Sequence, residues 1–552
     1  MKSKKAYLTP VIVIVFVGWI FFSIFHISGF ACTDIIVGKK ASRDGSVITS
    51  HTGAAPECRV HVVLGRTFKK GAMAPVYYGL QDVKKPLYQY GKIVGYIPQV
   101  EKTYTYFHSG YSHMNEHQLA IAESTMSQKE ELKVDHETGK QIMTIEQAMV
   151  FALQRCKTAR EAIQLITSLV EVYGFLPSCI SESEALCIAD PTEAWVLEVC
   201  SVGKDWTPES GKSGAIWAAQ RVPDDHVAIV PNWSIIKEID LTRPGYFMAS
   251  KNYMQVAIDY GWYDPKSGKP FTWQEAYSPV PREWAVGRFW LFFSTVAPSK
   301  KWPDKTLGNP FKGYDSYHQY LEPLSTYPFS IKPEKKLSVQ DVIAFQRSVF
   351  EGTIYDMTAD KDWLVPDTNG NLVKSPLTTP FPTRPMRELL DITWRRNVSR
   401  GGYGMVAQLR SWLPAPIGGV YWFYLDNQYV STYVPIYAGV QKISPFYKTY
   451  DPDQFNENSA RWAIDFVDNL LYLRWQDGVK DLRAFRDPLE TEFFTRQADI
   501  DARALQLYKK SPKQAKKFLT DYTWKRMEQV VNMYRQLRNV LISKYTNNKQ
   551  GS

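Results

Sequence analysis

The sequence lacks a glycine-rich phosphate loop after a predicted strand, and it lacks a long block of basic residues or a recognisable nucleic-acid motif. Its formal net charge is +10. Three of those charges, Lys2, Lys4 and Lys5, lie in an N-terminal segment without acids, and the other basic residues are scattered among 56 acids. These absences argue against a nucleotide cofactor and against a nucleic acid as partner.

Metal-binding patterns are also missing. The nine histidines form no HExxH motif, and cysteines and histidines do not combine in the spacing of a zinc site. The adjacent acids Asp224 and Asp225 directly follow Pro223, a context that favours a turn over metal binding or glycosidic chemistry. These patterns therefore do not indicate a metal site.

Cysteine is scarce, with six in 552 residues. Two of them flank a predicted hairpin around Pro191 and Thr192, in which Cys187 faces Val196 and Cys200 faces Ser183. A bridge between these two cysteines is badly placed in that register. We predict a fold that does not depend on disulfides.

What the sequence does contain is enough apolar residues for a large core: 44% are hydrophobic and 14% are aromatic. The chain alternates between strand and helix patterns without internal repeats. Runs of strands and runs of helices, with a helical tail, indicate an α+β layered fold. The predicted elements are a hairpin around Asp44 and Gly45, strands over 118–125, 185–199, 214–230 and 402–440, and helices over 144–156, over 158–174 and after Ser459.

The first 31 residues have the pattern of an export signal. A basic start precedes a long apolar run, and the small residues Gly29 and Ala31 precede Cys32 at the positions that signal peptidase favours. The run is also long enough to span a bilayer if it is not cleaved. A lipid-anchored cysteine is the third alternative, although Gly29 replaces the usual aliphatic residue of that motif. We expect signal peptidase to process the chain, and a periplasmic or extracellular location, with retention at the membrane if the leader stays attached.

Cleavage after Ala31 makes Cys32 the first residue, so that its thiol and a free α-amine belong to the same residue. A terminal amine has a reference pKa near 8, low enough for modest desolvation to make it a usable base at neutral pH. Such a residue combines nucleophile and base, as N-terminal threonines do in other hydrolases. The alternative is an incidental cysteine that happens to follow a signal sequence.

From Cys32 onward the chain resembles the dipeptidase A-like cysteine peptidases, a family of N-terminal nucleophile (Ntn) hydrolases. The matching stretches are collinear over most of residues 32–440 and include "CTDIIVGKKASRDGSVITSHT", "IPQVEKTYTYFHSGYSHMNEHQLAIAEST", "IADPTEAWVLEV", "WAAQRVPDDHVAIVPN", "VFEGTIYDMT" and "VAQLRSWLPAPIGGVYWFYLDNQYVSTYVPIYAGV". The resemblance implies a four-layer αββα sandwich over 32–450, a helical region over 451–552 packed on it, hydrolysis of dipeptides, and no cofactor. More distant relatives are penicillin and bile-salt amidases.

The resemblance points to further site residues, each with a structural alternative. Asn115 and Asn232 are candidates for stabilising the oxyanion, and Asn232 for orienting the α-amine, but either is equally a loop or turn asparagine. Arg288 is a candidate for favouring the thiolate, or a helix-surface ion-pair residue. The amidase relatives carry an arginine and an aspartate near the end of the strand in which this chain has His51. His51 is a candidate substrate contact or a structural histidine.

The sequence therefore predicts an exported cysteine dipeptidase whose nucleophile is Cys32, acting on short peptides, with homo-oligomerisation open. An N-acyl amidase acting on penicillin-like or bile-salt-like compounds is the first alternative. A membrane-tethered, non-catalytic binding protein is the second, and it follows if the leader is retained.

Overall fold

The computed structural model describes residues 32–53, 57–79, 91–177, 182–278, 283–302, 327–353, 355–392, 397–399 and 401–546. The predicted leader over 1–31 and Cys179 lie outside the described residues. Among the residues that are described, no helix combines the length and the apolar character that a bilayer crossing requires.

Strands occur along the first 437 residues. They are β1 (Asp34–Val37), β2 (Val47–Gly53), β3 (His61–Val63), β4 (Met73–Tyr78), β5 (Lys92–Pro98), β6 (Tyr106–His108), β7 (Met114–Asn115), β8 (Ala120–Met126), β9 (Met143–Thr144), β10 (Phe175–Leu176), β11 (Ser183–Ala189), β12 (Ala194–Cys200), β13 (Ile216–Val222), β14 (Val227–Val230), β15 (Phe247–Ala249), β16 (Leu364–Pro366), β17 (Leu372–Lys374), β18 (Tyr403–Leu409), β19 (Gly419–Leu425) and β20 (Val434–Tyr437).

Helices alternate with these strands and then dominate the C-terminal part. They are α1 (Ile145–Arg155), α2 (Ala159–Tyr173), α3 (Gln255–Asp259), α4 (Trp273–Tyr277), α5 (Glu283–Val296), α6 (Val339–Gln346), α7 (Arg384–Leu389), α8 (Ala415–Gly418), α9 (Ala460–Leu471), α10 (Trp475–Thr495), α11 (Gln497–Lys510) and α12 (Pro512–Tyr545).

Two sheets form the centre of the molecule. One has six strands in the order β14-β1-β2-β18-β19-β20, and the other has eight in the order β15-β13-β12-β11-β8-β7-β6-β3. They meet where β1 and β2 pack against β8 and β11. Strand β11 shows the alternation that this packing requires, because Ala185, Cys187 and Ala189 belong to one apolar cluster and Leu186 and Ile188 to another.

Helices lie against both sheets. Helix α2 packs on β11, β12 and β13, while α6 contacts β2 and β18 of the other sheet. Helix α2 begins with the predicted cap, because Thr158 and Glu161 form a reciprocal capping box, and it ends at Gly174, whose φ is +72°. A cap of this kind contributes about 1 kcal/mol to helix stability.

The C-terminal helices contact the six-stranded sheet through β19 and β20. Arg347, directly after α6, donates to both carboxylate oxygens of Glu490 in α10 at 2.7 Å. This ion pair is mostly buried and joins the helical region to the part that contains the sheets. The boundary between residues 450 and 451 stays a prediction.

Most of the predicted elements are confirmed, and the mixed α+β class with them. The hairpin around Asp44 and Gly45 joins β1 to β2 through a longer connection over 38–46. The turn at Asp224 and Asp225 joins β13 to β14. Assignment to the four-layer Ntn sandwich stays a prediction.

Two finer expectations can be compared with the structure. Cys187 pairs across the sheet with Val196, as predicted. The spacing of Trp462, Phe466, Leu470 and Leu473 predicts one apolar helix face. This prediction is wrong for Leu473, which follows α9 and is 44% exposed. The buried face of α9 consists of Ala460, Ala463, Ile464, Val467, Leu470 and Leu471.

Candidate active site

Cys32 lies two residues before the start of β1, which is an interior strand with β14 on one side and β2 on the other. Its side chain is buried, and its Sγ lies 4.0 Å from Oε2 of Glu123 in β8. The thiol therefore sits where the two sheets meet.

The Arg288 guanidinium holds the backbone around Cys32. Arg288 belongs to α5 and is fully buried. Its Nη1 donates to the carbonyl oxygen of Cys32 and, at 2.7 Å, to Oγ1 of Thr33. Its Nη2 donates to the carbonyl oxygen of Pro231 at 2.8 Å and to Oδ1 of Asn232 at 3.0 Å. Arg288 is therefore buried at the candidate site and is not a helix-surface ion-pair residue.

Asn232 follows β14 and has a φ of +59°, a left-handed conformation that asparagine tolerates better than most residues. Its backbone N–H donates to Oγ of Ser124 at 3.0 Å, and its Nδ2 donates to the carbonyl oxygen of Thr125 at 3.0 Å. An amide nitrogen carries two hydrogens, of which the Thr125 bond uses one. The structure therefore brings Asn232 together with Arg288 and Cys32, in a fixed orientation.

His51 lies in β2 opposite Asp34, if the register that pairs Ile35 with Ser50 is continued by one residue. Both side chains are fully buried, and His51 Nδ1 lies 3.0 Å from Asp34 Oδ1. With the ring proton assigned to Nδ1, His51 is the donor and Nε2 is left as an acceptor. In the part of the chain that the structure describes, Nε2 makes no hydrogen bond of good geometry.

Burial sets the protonation of this pair. It lowers the pKa of His51 well below its usual value, and the neighbouring His113 lowers it further. Burial also raises the pKa of Asp34 well above its usual value; Glu123 adds to that rise and Arg288 opposes it. His51 is consequently neutral at physiological pH.

Glu123 is a fully buried acid in the middle of β8. Burial raises its pKa, while hydrogen bonds with the side chains of Glu184, Thr125 and Tyr111 act in the opposite direction. The site thus contains Asp34, whose pKa responds to both Glu123 and Arg288, and Glu123, which is hydrogen bonded with the side chain of Glu184. Such an arrangement can accept a cationic group next to the thiol.

Asn115 does not join this network. Its Nδ2 donates to the carbonyl oxygens of Leu153 and Cys156, both at 2.9 Å, so that both amide hydrogens are used. Its Oδ1 accepts from the backbone N–H groups of His117 and Leu119. These contacts fasten the turn after β7 to the end of α1, which is the structural alternative that the sequence left open for this residue.

The sequence of one known protein family is similar to most of the chain. The sequence profile of peptidase family C69 matches residues 31–487. The chain belongs to peptidase family C69. It is therefore a peptidase, and the matched region begins at the residue before Cys32.

Relatives of the peptidase carry dipeptidase names. A probable dipeptidase B of Streptococcus pyogenes serotype M1 is 22% identical over 530 residues, which cover 95% of each chain. A probable dipeptidase of Salmonella dublin is 23% identical over 427 residues, covering 75% of this chain and 82% of the relative. One from Latilactobacillus sakei is 23% identical over 450 residues, with 78% and 79% covered.

The sequence did not single out Asp34 or Glu123 as site residues. The signal for Glu123 is a charged residue inside the strand pattern "AIAEST", since an acid within a buried strand needs a partner or a function. The signal for Asp34 is its place two residues after Cys32, on a strand that pairs with the strand of His51.

Replacement of Arg288 tests whether the peptidase depends on this network. Arg288→Lys keeps the charge but supplies a single ammonium in place of the planar fork, so that four acceptors on two chain segments lose their common donor. We expect kcat/KM for a dipeptide to fall about 100-fold, because displacement of the reacting group by a fraction of an ångström is costly. Steady-state kinetics below the unfolding temperature measures the effect. Arg384→Lys, at an exposed arginine paired with Glu388, is the matched control and should leave kcat/KM unchanged; an equal loss in both variants refutes a specific role of Arg288.

Proposed function

We propose that this C69 peptidase hydrolyses dipeptides through the thiol of Cys32, after removal of residues 1–31 has exposed the α-amine of the same residue. The observation that supports this most directly is the hydrogen bonding around residue 32. A buried arginine fixes the carbonyl oxygen of Cys32 and the side chain of Thr33, and the same guanidinium orients Asn232. Fixed backbone at a thiol is what a positioned nucleophile requires.

The proposed reaction has two steps. The α-amine takes the thiol proton as Sγ attacks the peptide carbonyl carbon, and the proton then passes to the departing amine. Water next attacks the thioester carbonyl. The first residue of the substrate leaves as a free amino acid with a new carboxylate, and a proton from the water returns to the Cys32 thiol. An amide hydrogen of Asn232 is the proposed donor to the tetrahedral oxygen, because the Thr125 bond uses one hydrogen of two.

Glu123 is the proposed acceptor for the substrate's α-ammonium group. In an N-terminal residue the ammonium nitrogen is two bonds from the carbonyl carbon, so its acceptor must lie within a few ångströms of the nucleophile. Oε2 of Glu123 lies 4.0 Å from Sγ of Cys32. An ammonium at this place also offsets the repulsion among the site's carboxyl groups. Cleavage after the first residue of a short peptide follows from this arrangement.

Location belongs to the same proposal. The basic start, the apolar run and the small residues before Cys32 support export with cleavage by signal peptidase. Cleavage by a separate enzyme needs no intact thiol, whereas self-cleavage does. The assignment to the four-layer Ntn sandwich is proposed because the two sheets pack against each other and helices contact each of them.

The nucleophile is tested by Cys32→Ser. We expect this variant to be exported and trimmed at the same bond, but to lose dipeptide hydrolysis by at least about 10⁴-fold, as removal of a nucleophile does in other hydrolases. Intact mass reports trimming, and an amino-acid release assay reports turnover. Cys187→Ser, at another buried cysteine, should keep full activity. Retained activity in Cys32→Ser rules out the nucleophile, and failed trimming rules out signal peptidase.

The role of Glu123 is tested by Glu123→Gln. The neutral amide cannot balance the ammonium, so we expect KM for a free dipeptide to rise about 10- to 100-fold. KM of the unaltered enzyme should rise as the pH falls through the pKa of Glu123, and the variant should lose that dependence. Because burial raises this pKa, the rise should begin above the range of an ordinary glutamate.

A comparison of substrates separates this role from a general loss of structure. The ratio of kcat/KM for a free dipeptide to kcat/KM for its N-acetylated form should fall in Glu123→Gln. The ratio should stay unchanged in Glu116→Gln, the control, because Glu116 is a partly buried acid paired with Lys516. An unchanged preference in Glu123→Gln excludes the residue as the ammonium acceptor.

A further inference from the structure

Three buried side chains at the candidate site present ligand atoms of three kinds. Sγ of Cys32, a ring nitrogen of His51 and a carboxylate oxygen of Glu123 all lie within 4.8 Å of one another. A thiolate, an imidazole and a carboxylate are each common zinc ligands, and zinc accepts them in mixed sets. Harder cations such as Mg²⁺ prefer all-oxygen surroundings and fit this set poorly.

His51 is oriented as metal-binding histidines are. Its Nδ1 is held by Asp34 at 3.0 Å, which leaves Nε2 to bind a ligand. Nε2 is buried and makes no hydrogen bond of good geometry within the described residues, although the backbone of Glu123 is close enough to the ring to raise the pKa of His51. A Cβ at Gly53 would lie 2.8 Å from Nε2, so a glycine at this position keeps the space beside that nitrogen open.

The distance between the other two ligands is close to that of a metal site. A tetrahedral zinc ion with ordinary bond lengths holds its sulfur and oxygen ligands about 3.6 Å apart. Sγ of Cys32 and Oε2 of Glu123 are 4.0 Å apart, so a shift of a few tenths of an ångström suffices. Oε1 of Glu123 accepts from Oγ1 of Thr125 at 3.2 Å, a contact that fixes the carboxylate.

We infer that Cys32, His51 and Glu123 form a zinc site. The ion in this site binds the nucleophilic thiol and occupies the position of the substrate's ammonium group. The thiol loses its proton to solvent when the Zn–S bond forms, and His51 binds as the neutral ring. Three protein ligands leave one position open. If residues 1–31 are removed, the α-amine of Cys32 can fill that position by chelation with its own thiol. Zinc is then a reversible inhibitor, since the bound thiolate cannot attack a carbonyl; this consequence alone rests on the proposed function.

Metal binding itself can be measured without turnover. The purified, metal-depleted protein is titrated with Zn²⁺ against a chromophoric chelator, and with Co²⁺ to follow the thiolate-to-cobalt charge-transfer band. We expect one equivalent of tightly bound metal and a charge-transfer band in the unaltered chain. Cys32→Ser should abolish the band, and Asp34→Asn should weaken zinc binding about 10- to 100-fold by releasing His51. Cys187→Ser, the matched control, should retain both. Binding that is equal in Cys32→Ser and in the unaltered chain overturns the inference.

A second measurement needs no variant and so does not depend on how a substituted core folds. The rate at which iodoacetamide alkylates Cys32, read by peptide mass spectrometry, should fall at least tenfold with one equivalent of Zn²⁺ and stay unchanged with Mg²⁺. An unchanged rate with Zn²⁺ refutes the site. Neither result bears on the nucleophile, because dipeptide hydrolysis by the metal-free protein is measured separately.

Discussion

The fork of hydrogen bonds from Arg288 is the contact on which the geometry of the site depends. A buried guanidinium is costly unless nearly all of its N–H groups have acceptors. Arg288 satisfies this requirement with oxygens from two separate segments, residues 32–33 before β1 and residues 231–232 after β14. It therefore ties a helix to the ends of two neighbouring strands, and residue 32 cannot move without breaking this network.

The same place gathers buried carboxyl groups. Asp34 and Glu123 both have raised pKa values, chiefly because they are removed from water, and each is also close to other charged groups. Clusters of this kind are typical of functional sites. We propose a cationic occupant for this cluster, either the substrate's ammonium group or a zinc ion that competes with it.

The sequence was most informative where local signals are strong. Helix α2 could be placed to the residue from Thr158 and Gly174, because caps and periodicity depend on neighbours in sequence. The family resemblance also directed attention to Cys32, Asn232 and Arg288, which the structure brings together.

Strand register and contacts between residues far apart in the sequence could not be predicted from the sequence. The pairing of Asp34 with His51 depends on the connection over 38–46, which is longer than a tight turn at Asp44 and Gly45. Glu123 lies near Cys32 although it belongs to the other sheet. The side chain of Asn115 is hydrogen bonded to the end of α1. The segment 235–395 shows no clear period, yet it contains α5 and therefore Arg288.

The most direct test of the central claim compares two forms of the protein, one beginning at Cys32 and one that keeps Ala31 in front of it. Both have the same thiol, the same Arg288 network and the same fold, but only the first has an amine on residue 32. The account predicts that the form with Ala31 turns over a dipeptide at least about 100-fold more slowly, the least that a general base usually contributes. Equal turnover by the two forms, with N-termini verified by mass, contradicts it.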